Sequence, residues 1–99
     1  MKLEYEFEWD EEKNARNIIK HGLSFEEAMV VFSDPRRYEE FDWVHSIVEE
    51  RWQTTGFSGC EVITVFFTER KGLIRIFSAR KAGKTEQEVY FYGYGTAKN

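Results

Sequence analysis

Two distant stretches of this chain hold side chains suited to phosphodiester chemistry, which needs cations, a proton-transfer group and aromatic faces. In the first, Lys13, Asn17 and His21 recur at i, i+4 and i+8 and would line one face of a helix, with Arg16 and Lys20 close by. In the second, six cations and no carboxylate lie between Arg70 and Lys84. His21 is the sharpest single candidate, because an imidazole suits proton transfer near neutral pH. A histidine just ahead of Gly22 also has an ordinary role. As a cation it favours the negative end of the helix dipole, typically by about 0.3–1 kcal/mol. Asn17 costs a few tenths of a kcal/mol relative to alanine inside a helix, which hints at a specific hydrogen bond.

Arg75 and Arg80 pose a geometric question. Side chains alternate along a strand, so residues five apart point to opposite faces. Arg75 goes with Leu73 and Phe77. Arg80 would go with Ile74 and Ile76 on a buried face, where an unpaired arginine is costly. The strand is therefore expected to end at Ser78–Ala79, turning Arg80 outward beside Lys81 and Lys84, well placed to hold a phosphate bidentately. Arg51, with Gln53 and Thr55 at alternate positions, would join from a neighbouring strand. Trp9 is expected to anchor the first helix on the core, with stacking on an unpaired base as the alternative. No metal site is expected: the histidines are His21 and His45, Cys60 is the single cysteine, and no cluster has zinc-ligand spacing. Neither a glycine-rich phosphate loop nor a nucleophile elbow occurs.

The elements that would position these groups can be read in order. Leu3, Tyr5 and Phe7 alternate with glutamates, predicting an opening strand. Asp10 caps a helix that ends at a left-handed Gly22, with Ala15, Ile18 and Ile19 turned toward the sheet. Ser24-Phe25-Glu26-Glu27 forms a capping box, Leu23 staples onto Ala28, and the Phe25, Ala28, Met29, Phe32 stripe runs to Pro35. An antiparallel meander follows: Tyr38 to Trp43, Arg51 to Phe57, Val62 to Thr68, a turn at Arg70-Lys71-Gly72, and Leu73 to Ser78. Thr85 is expected to cap a short last helix, with Glu88 at the capping-box position and Gly93 at its end. The alternative for Val89 to Tyr92 is a strand. Helices ahead of antiparallel strands predict an α+β layer.

Composition sets the bounds. Ninety-nine residues with nine Phe, five Tyr and three Trp make one domain, residues 1–99, with a modest core. A lone cysteine excludes an intramolecular disulfide and fits a reducing cytosol. The N-terminus lacks the apolar run of a signal peptide, and the longest apolar run, Ala28 to Phe32, is far too short to span a bilayer. The net charge of −4 at first argues against a polyanionic partner. Its distribution argues otherwise: residues 1–50 hold 6 basic and 14 acidic side chains, whereas residues 51–99 hold 8 basic and 4 acidic. Screening limits the reach of the distant carboxylates to about 10 Å. The ordinary alternative for the basic segment is an exposed strand and turn kept soluble by charge.

Taken together, Phe7-Glu8-Trp9-Asp10, Lys13, Asn17, Lys20-His21-Gly22-Leu23-Ser24-Phe25-Glu26-Glu27-Ala28 and Arg75-Ile76-Phe77-Ser78-Ala79-Arg80-Lys81-Ala82 resemble the BrnT family, ribonuclease toxins of type II toxin–antitoxin pairs. Asp34, Pro35 and Arg51 also fall on its pattern. The resemblance implies a compact RelE-like fold, with two N-terminal helices packed on a curved antiparallel sheet of about four strands and a short C-terminal helix. It implies a cytoplasmic, metal-independent endoribonuclease without cofactor. The implied partner is a BrnA-like ribbon-helix-helix antitoxin, through which the protein would meet operator DNA only indirectly. Catalytic roles would fall to His21, Arg75 and Arg80. RNA binding would fall to Trp9, Lys13, Lys20, Arg51, Lys81 and Tyr90. The family often continues past Ala82 into a strongly basic helix, which Glu86 and Glu88 interrupt here. The alternative is a non-catalytic module that docks a DNA-binding partner through the acidic N-terminal half.

Overall fold

Leu23, Phe25, Ala28, Val31 and Phe32 from the first third of the chain meet Ile63, Val65, Phe67, Ile74, Ile76 and Ala79 from the last half in one buried cluster. The computed structural model describes residues 5–44, 46 and 49–93. The elements are β1 (Glu6–Glu8), α1 (Glu11–His21), α2 (Phe25–Val31), β2 (Tyr38–Phe41), β3 (Trp52–Phe57), β4 (Val62–Arg70), β5 (Leu73–Lys81) and α3 (Lys84–Tyr92). Leu3 and Glu4 of the expected opening strand, and His45, lie outside the described residues. Among the described residues, no helix is long and apolar enough to cross a membrane.

The α+β expectation and the meander hold, but the sheet has five strands, not about four. Its order is β1-β5-β4-β3-β2. The fifth is β1, which pairs parallel to β5 through Glu6, Phe7 and Glu8 opposite Leu73, Ile74 and Arg75. A three-residue alternation does not reveal which strand it joins. The β4–β5 hairpin turns through Lys71 and Gly72, at φ 52° and 85°. This two-residue left-handed turn matches the twist of its strands.

Both N-terminal helices carry the expected caps. Asp10 accepts from the amides of Glu12 and Lys13, and Gly22 closes α1 at φ 71°. Ser24 and Glu27 exchange the two bonds of a capping box. The last helix departs from expectation. It starts two residues early at Gly83, whose amide donates to Glu86 Oε1 at 2.8 Å, so neither Thr85 nor Glu88 caps it. Val89 to Tyr92 is helical.

The orientation of α1 also needs correction. Ala15, Ile18 and Ile19 do not meet the sheet: Ala15 is exposed, and Ile18 and Ile19 are 47% and 86% exposed. The buried residues are Asn14 and Asn17. The cause lies in β5. Strand β1 covers the edge of β5 only as far as Arg75. Beyond it, Asn17 supplies the missing partner: its Nδ2 donates to Ala79 O at 2.9 Å, and its Oδ1 accepts from Ala79 N at 3.2 Å. Nδ2 also donates to Leu23 O. Asn14 accepts from Phe25 N and donates to Glu26. Satisfying these buried peptide groups outweighs burying two isoleucines, because an orphaned buried donor or acceptor costs about 1–3 kcal/mol.

Asn17→Ala should therefore destabilise the fold by about 2–3 kcal/mol, from the orphaned Ala79 peptide and Leu23 carbonyl. Asn17→Asp, which cannot donate, should do at least as much harm. Urea unfolding monitored by tryptophan fluorescence checks both, and an Asn17→Ala change no larger than that of Ile19→Ala would refute the edge-partner role.

Candidate functional site

Arg75 and Arg80 share a face of the sheet, for a reason alternation does not supply. Strand β5 does not stop at Ser78–Ala79 but runs to Lys81. Its register against β4 slips midway: Ser78 faces Phe66 and Ile76 faces Phe67, leaving Phe77 as an extra residue. Such a bulge resets the alternation. Ile74, Ile76 and Ala79 are consequently buried in the core, while Arg75 and Arg80 emerge opposite Thr68 and Thr64 on the other face. The same register brings Gln53 opposite Phe66 and Thr55 opposite Thr64.

Phe77 is the centre of this face. Lys13 Nζ lies 5.2 Å from its ring centroid and Arg51 Cζ lies 4.1 Å away. Helix α1 delivers Lys13 one turn before Asn17, and β3 is entered at Arg51. Among the described residues neither cation has a carboxylate partner, and Arg51 Nε is buried without a hydrogen-bond acceptor. A second ring, Phe66, carries Arg80 Cζ at 5.3 Å. Cations held over aromatic faces gain about 0.5–2 kcal/mol and keep their N–H donors for other acceptors.

The other two arginines are already engaged. Arg75 Nη1 meets Glu8 Oε2 at 3.2 Å, beside a shallow cleft of about 200 Å³ lined by Glu8, Glu49, Thr68, Arg70, Leu73 and Arg75. Arg80 grips Glu86 through two bonds, Nη1–Oε1 at 2.7 Å and Nη2–Oε2 at 3.0 Å. Glu86 also accepts from Thr64 and from the Gly83 amide. Burial alone would raise the Glu86 pKa, but the paired Arg80 outweighs it, with the Gly83 and Thr64 bonds, and the carboxyl falls to about 2. Glu86 therefore faces inward, clamping α3 over one end of the face, rather than merely interrupting a basic surface.

The remaining sequence candidates lie elsewhere. Trp9 stands edge-on to Phe25, 6.0 Å between centroids, and packs on the core. Lys20 is exposed on α1. Lys81 faces Glu61 at 3.8 Å. The His21 side chain makes no hydrogen bond, ion pair or ring contact among the described residues, and His21 lies eight residues, about 12 Å of helix axis, beyond Lys13. The Tyr90 hydroxyl donates to Asp34 Oδ2 at 2.6 Å. Burial and this bond push its pKa up to about 12. Asp34 also accepts from the Phe57 amide, opposite Val62. Val62 is six residues along β4 from Thr68, the partner of Arg75, or about 20 Å. Tyr90 thus lies at the Val62 end of the sheet, far from Arg75 and at the end that carries Arg80. Sequence reasoning passed over Phe66, Phe77, Glu8 and Glu86. Phe77 was within reach, since it shares the alternation of Arg75, but the Glu8 and Glu86 pairings depend on strand order and on the position of α3.

Residues 9–86 match the family model described as the ribonuclease toxin, BrnT, of type II toxin–antitoxin system. No curated protein matches the chain.

The depressed Glu86 pKa has a signed consequence. A carboxyl held below its unfolded value of about 4.3 stabilises the fold fully above that pH and stops doing so as pH falls through about 2. With Arg80 about a third exposed, the discounted contribution is about 1–2 kcal/mol at pH 7. Glu86→Gln should be less stable than wild type by that amount at pH 7, and the gap should narrow steadily between pH 4.5 and 2. Urea titrations across that range check it, and a gap independent of pH would exclude the ion pair as its source.

Proposed function

The chain belongs to the BrnT family of ribonuclease toxins of type II toxin–antitoxin systems, and from that premise we propose that it is a metal-independent endoribonuclease acting in the cytoplasm as a single RelE-like domain. The RNA would lie on the sheet face around Phe77. A BrnA-like ribbon-helix-helix antitoxin would neutralise it. The observation that carries the reading is the Phe77 ring with Lys13 and Arg51 held over it, two cations without carboxylate partners among the described residues. Cations resting on a ring keep their N–H donors for oxygen acceptors, which suits the phosphates of an RNA strand.

In this reading the RNA 2′-oxygen attacks the adjacent phosphorus. The O2′–P bond forms and the P–O5′ bond breaks, leaving a 2′,3′-cyclic phosphate and a 5′-hydroxyl. The 2′-OH proton leaves to a base and one proton reaches O5′. Arg51 and Lys13 hold the RNA. Arg80, drawn by the substrate from Glu86, meets the charge building on the phosphoryl oxygens, while Arg75, drawn from Glu8, holds a phosphate further along the strand. His21 handles the proton, which requires the scissile phosphate to lie toward the Lys81 end of β5. Lys20 and Lys81 extend the cationic track, and Trp9 and Tyr90 serve as anchors instead of stacking platforms. The reading as metal-independent rests on what the face offers: cations and rings, with Glu8 and Glu86 each bound to an arginine.

The competing reading, a non-catalytic module that docks a DNA-binding partner, draws on the Arg80–Glu86 clamp, which neutralises the cation that the family resemblance makes catalytic. Incubating a defined RNA with the purified chain and EDTA separates the two. Wild type should cut, and Arg51→Ala should slow cutting about 10- to 100-fold through loss of a charged hydrogen bond to phosphate. Arg80→Ala should slow it at least as much without loss of fold. Cutting by Arg51→Ala at the wild-type rate would remove RNA from the Phe77 face. Intact RNA in every lane, with and without added ribosomes, would establish the non-catalytic module.

A further inference from the structure

The outward side of α1 has the character of a core-facing helix surface. Ala15, Ile18 and Ile19 lie on it, and Ile19 is 86% exposed. The helix cannot roll to hide them. Asn17 is fixed to the Ala79 peptide and Leu23 O, and Asn14 is fixed to Phe25 N. Rolling α1 inward would break these buried bonds. The exposure is therefore a fixed property of the fold and not a frayed end.

The surroundings restrict what can cover this patch. Glu11 and Glu12 stand exposed in the first turn of α1, and Glu26 and Glu27 stand exposed at the start of the adjoining α2. Asn14 Nδ2 lies 3.4 Å from Glu11 Oε1 and 3.0 Å from Glu26 Oε1, so these two carboxylates flank a single amide. Residues 1–50 as a whole carry 6 basic and 14 acidic side chains. An apolar strip ending in clustered carboxylates is complementary to a segment that presents aliphatic side chains followed by Lys or Arg. It repels a second copy of itself, which would bring like charges together. Lys13 points instead to Phe77, so this surface lies around α1 from the face proposed for RNA.

We infer that the outer face of α1 is the docking surface for the protein antitoxin, and that it receives a basic amphipathic segment whose apolar side chains cover Ile18 and Ile19 while its cations meet Glu11, Glu12 and Glu26. This rests on the toxin–antitoxin reading above and adds the location and chemistry of the contact. Well-packed, desolvated anchors surrounded by contacts that exclude water carry much of the affinity in protein interfaces.

The test titrates the co-encoded antitoxin against the full chain by calorimetry. Ile19→Asp should weaken binding at least tenfold, and the Glu11→Lys, Glu12→Lys double variant should weaken it with a reduced salt dependence. RNA cleavage should stay at the wild-type value in both, and both should remain folded with a slightly lower urea midpoint, because each sets charge against the α1 dipole. Unchanged affinity in Ile19→Asp, or no binding of that antitoxin by wild type, would overturn the proposal. So would a dimer of the chain alone that Ile19→Asp dissolves, because the occupant would then be a second copy. The two readings fail separately. Wild type that cuts RNA while Ile19→Asp binds normally sinks only the docking surface. Wild type that never cuts RNA, with binding still lost in Ile19→Asp, sinks only the ribonuclease.

Discussion

The pairing of one side-chain amide with one peptide group, Asn17 with Ala79, sets the arrangement on which both surfaces of this protein depend. Strand β1 is three residues long and leaves the second half of β5 without a neighbour on that side. A carboxamide presents one donor and one acceptor in the spacing of a backbone peptide, so Asn17 closes the ladder where the strand runs out. This choice fixes the roll of α1. It brings Lys13 over Phe77 on one side and leaves Ile19 in solvent on the other. The usual rule that the apolar stripe of a helix faces inward gives way because unsatisfied buried peptides cost as much per group as an aliphatic side chain gains on burial.

Partner choice then sorts the cations. Four basic side chains reach the face opposite the core, and proximity alone would make Arg75 and Arg80 the natural anion site. Each is held by a glutamate, and the Glu86 carboxyl is so well served that it stays ionised to about pH 2. Arg51 and Lys13 rest on a ring instead. A ring attracts a cation without using its N–H donors, so both keep their capacity for oxygen acceptors. An anion arriving at Arg51 meets a preset guanidinium, whereas one arriving at Arg80 must first displace a bidentate carboxylate.

Much of the fold was legible in the sequence because local chemistry encodes it. Asp10, Gly22, the Ser24–Glu27 box and the Lys71-Gly72 turn each act within a few residues, and each appears where expected. What escaped reading depends on groups far apart in the chain. The bulge at Phe77 is a property of two strands, and its effect on Arg80 follows only once β4 supplies the register. Asn14 and Asn17 look like surface residues until Phe25 and Ala79 arrive, 11 and 62 positions away. Glu86 reads as a solvated helix charge until α3 folds across the sheet. For the candidate site the cationic types Lys13, Arg51, Arg75 and Arg80 were legible, but the Phe66 and Phe77 rings beneath three of them were not. Nor was it legible which of them meets a carboxylate among the described residues, since that depends on Glu8 and Glu86.

The acidic total is compatible with a polyanion because of this geometry. The carboxylates of α1 and α2 crowd the outer ends of those helices, while Glu8 and Glu86, beside Arg75 and Arg80, are neutralised by direct contact. Opposite charges in contact cancel at short range, and beyond about 10 Å salt removes most of what is left. An RNA strand laid on Phe77, as proposed, would experience Lys13 and Arg51 more than the net charge of −4. The same segregation leaves the negative potential on the side of α1 where Ile18 and Ile19 are bare. In the proposed arrangement one helix would present a cation to one partner and a carboxylate-edged apolar strip to another, so that two ligands of opposite charge could approach one small domain without competing for the same field.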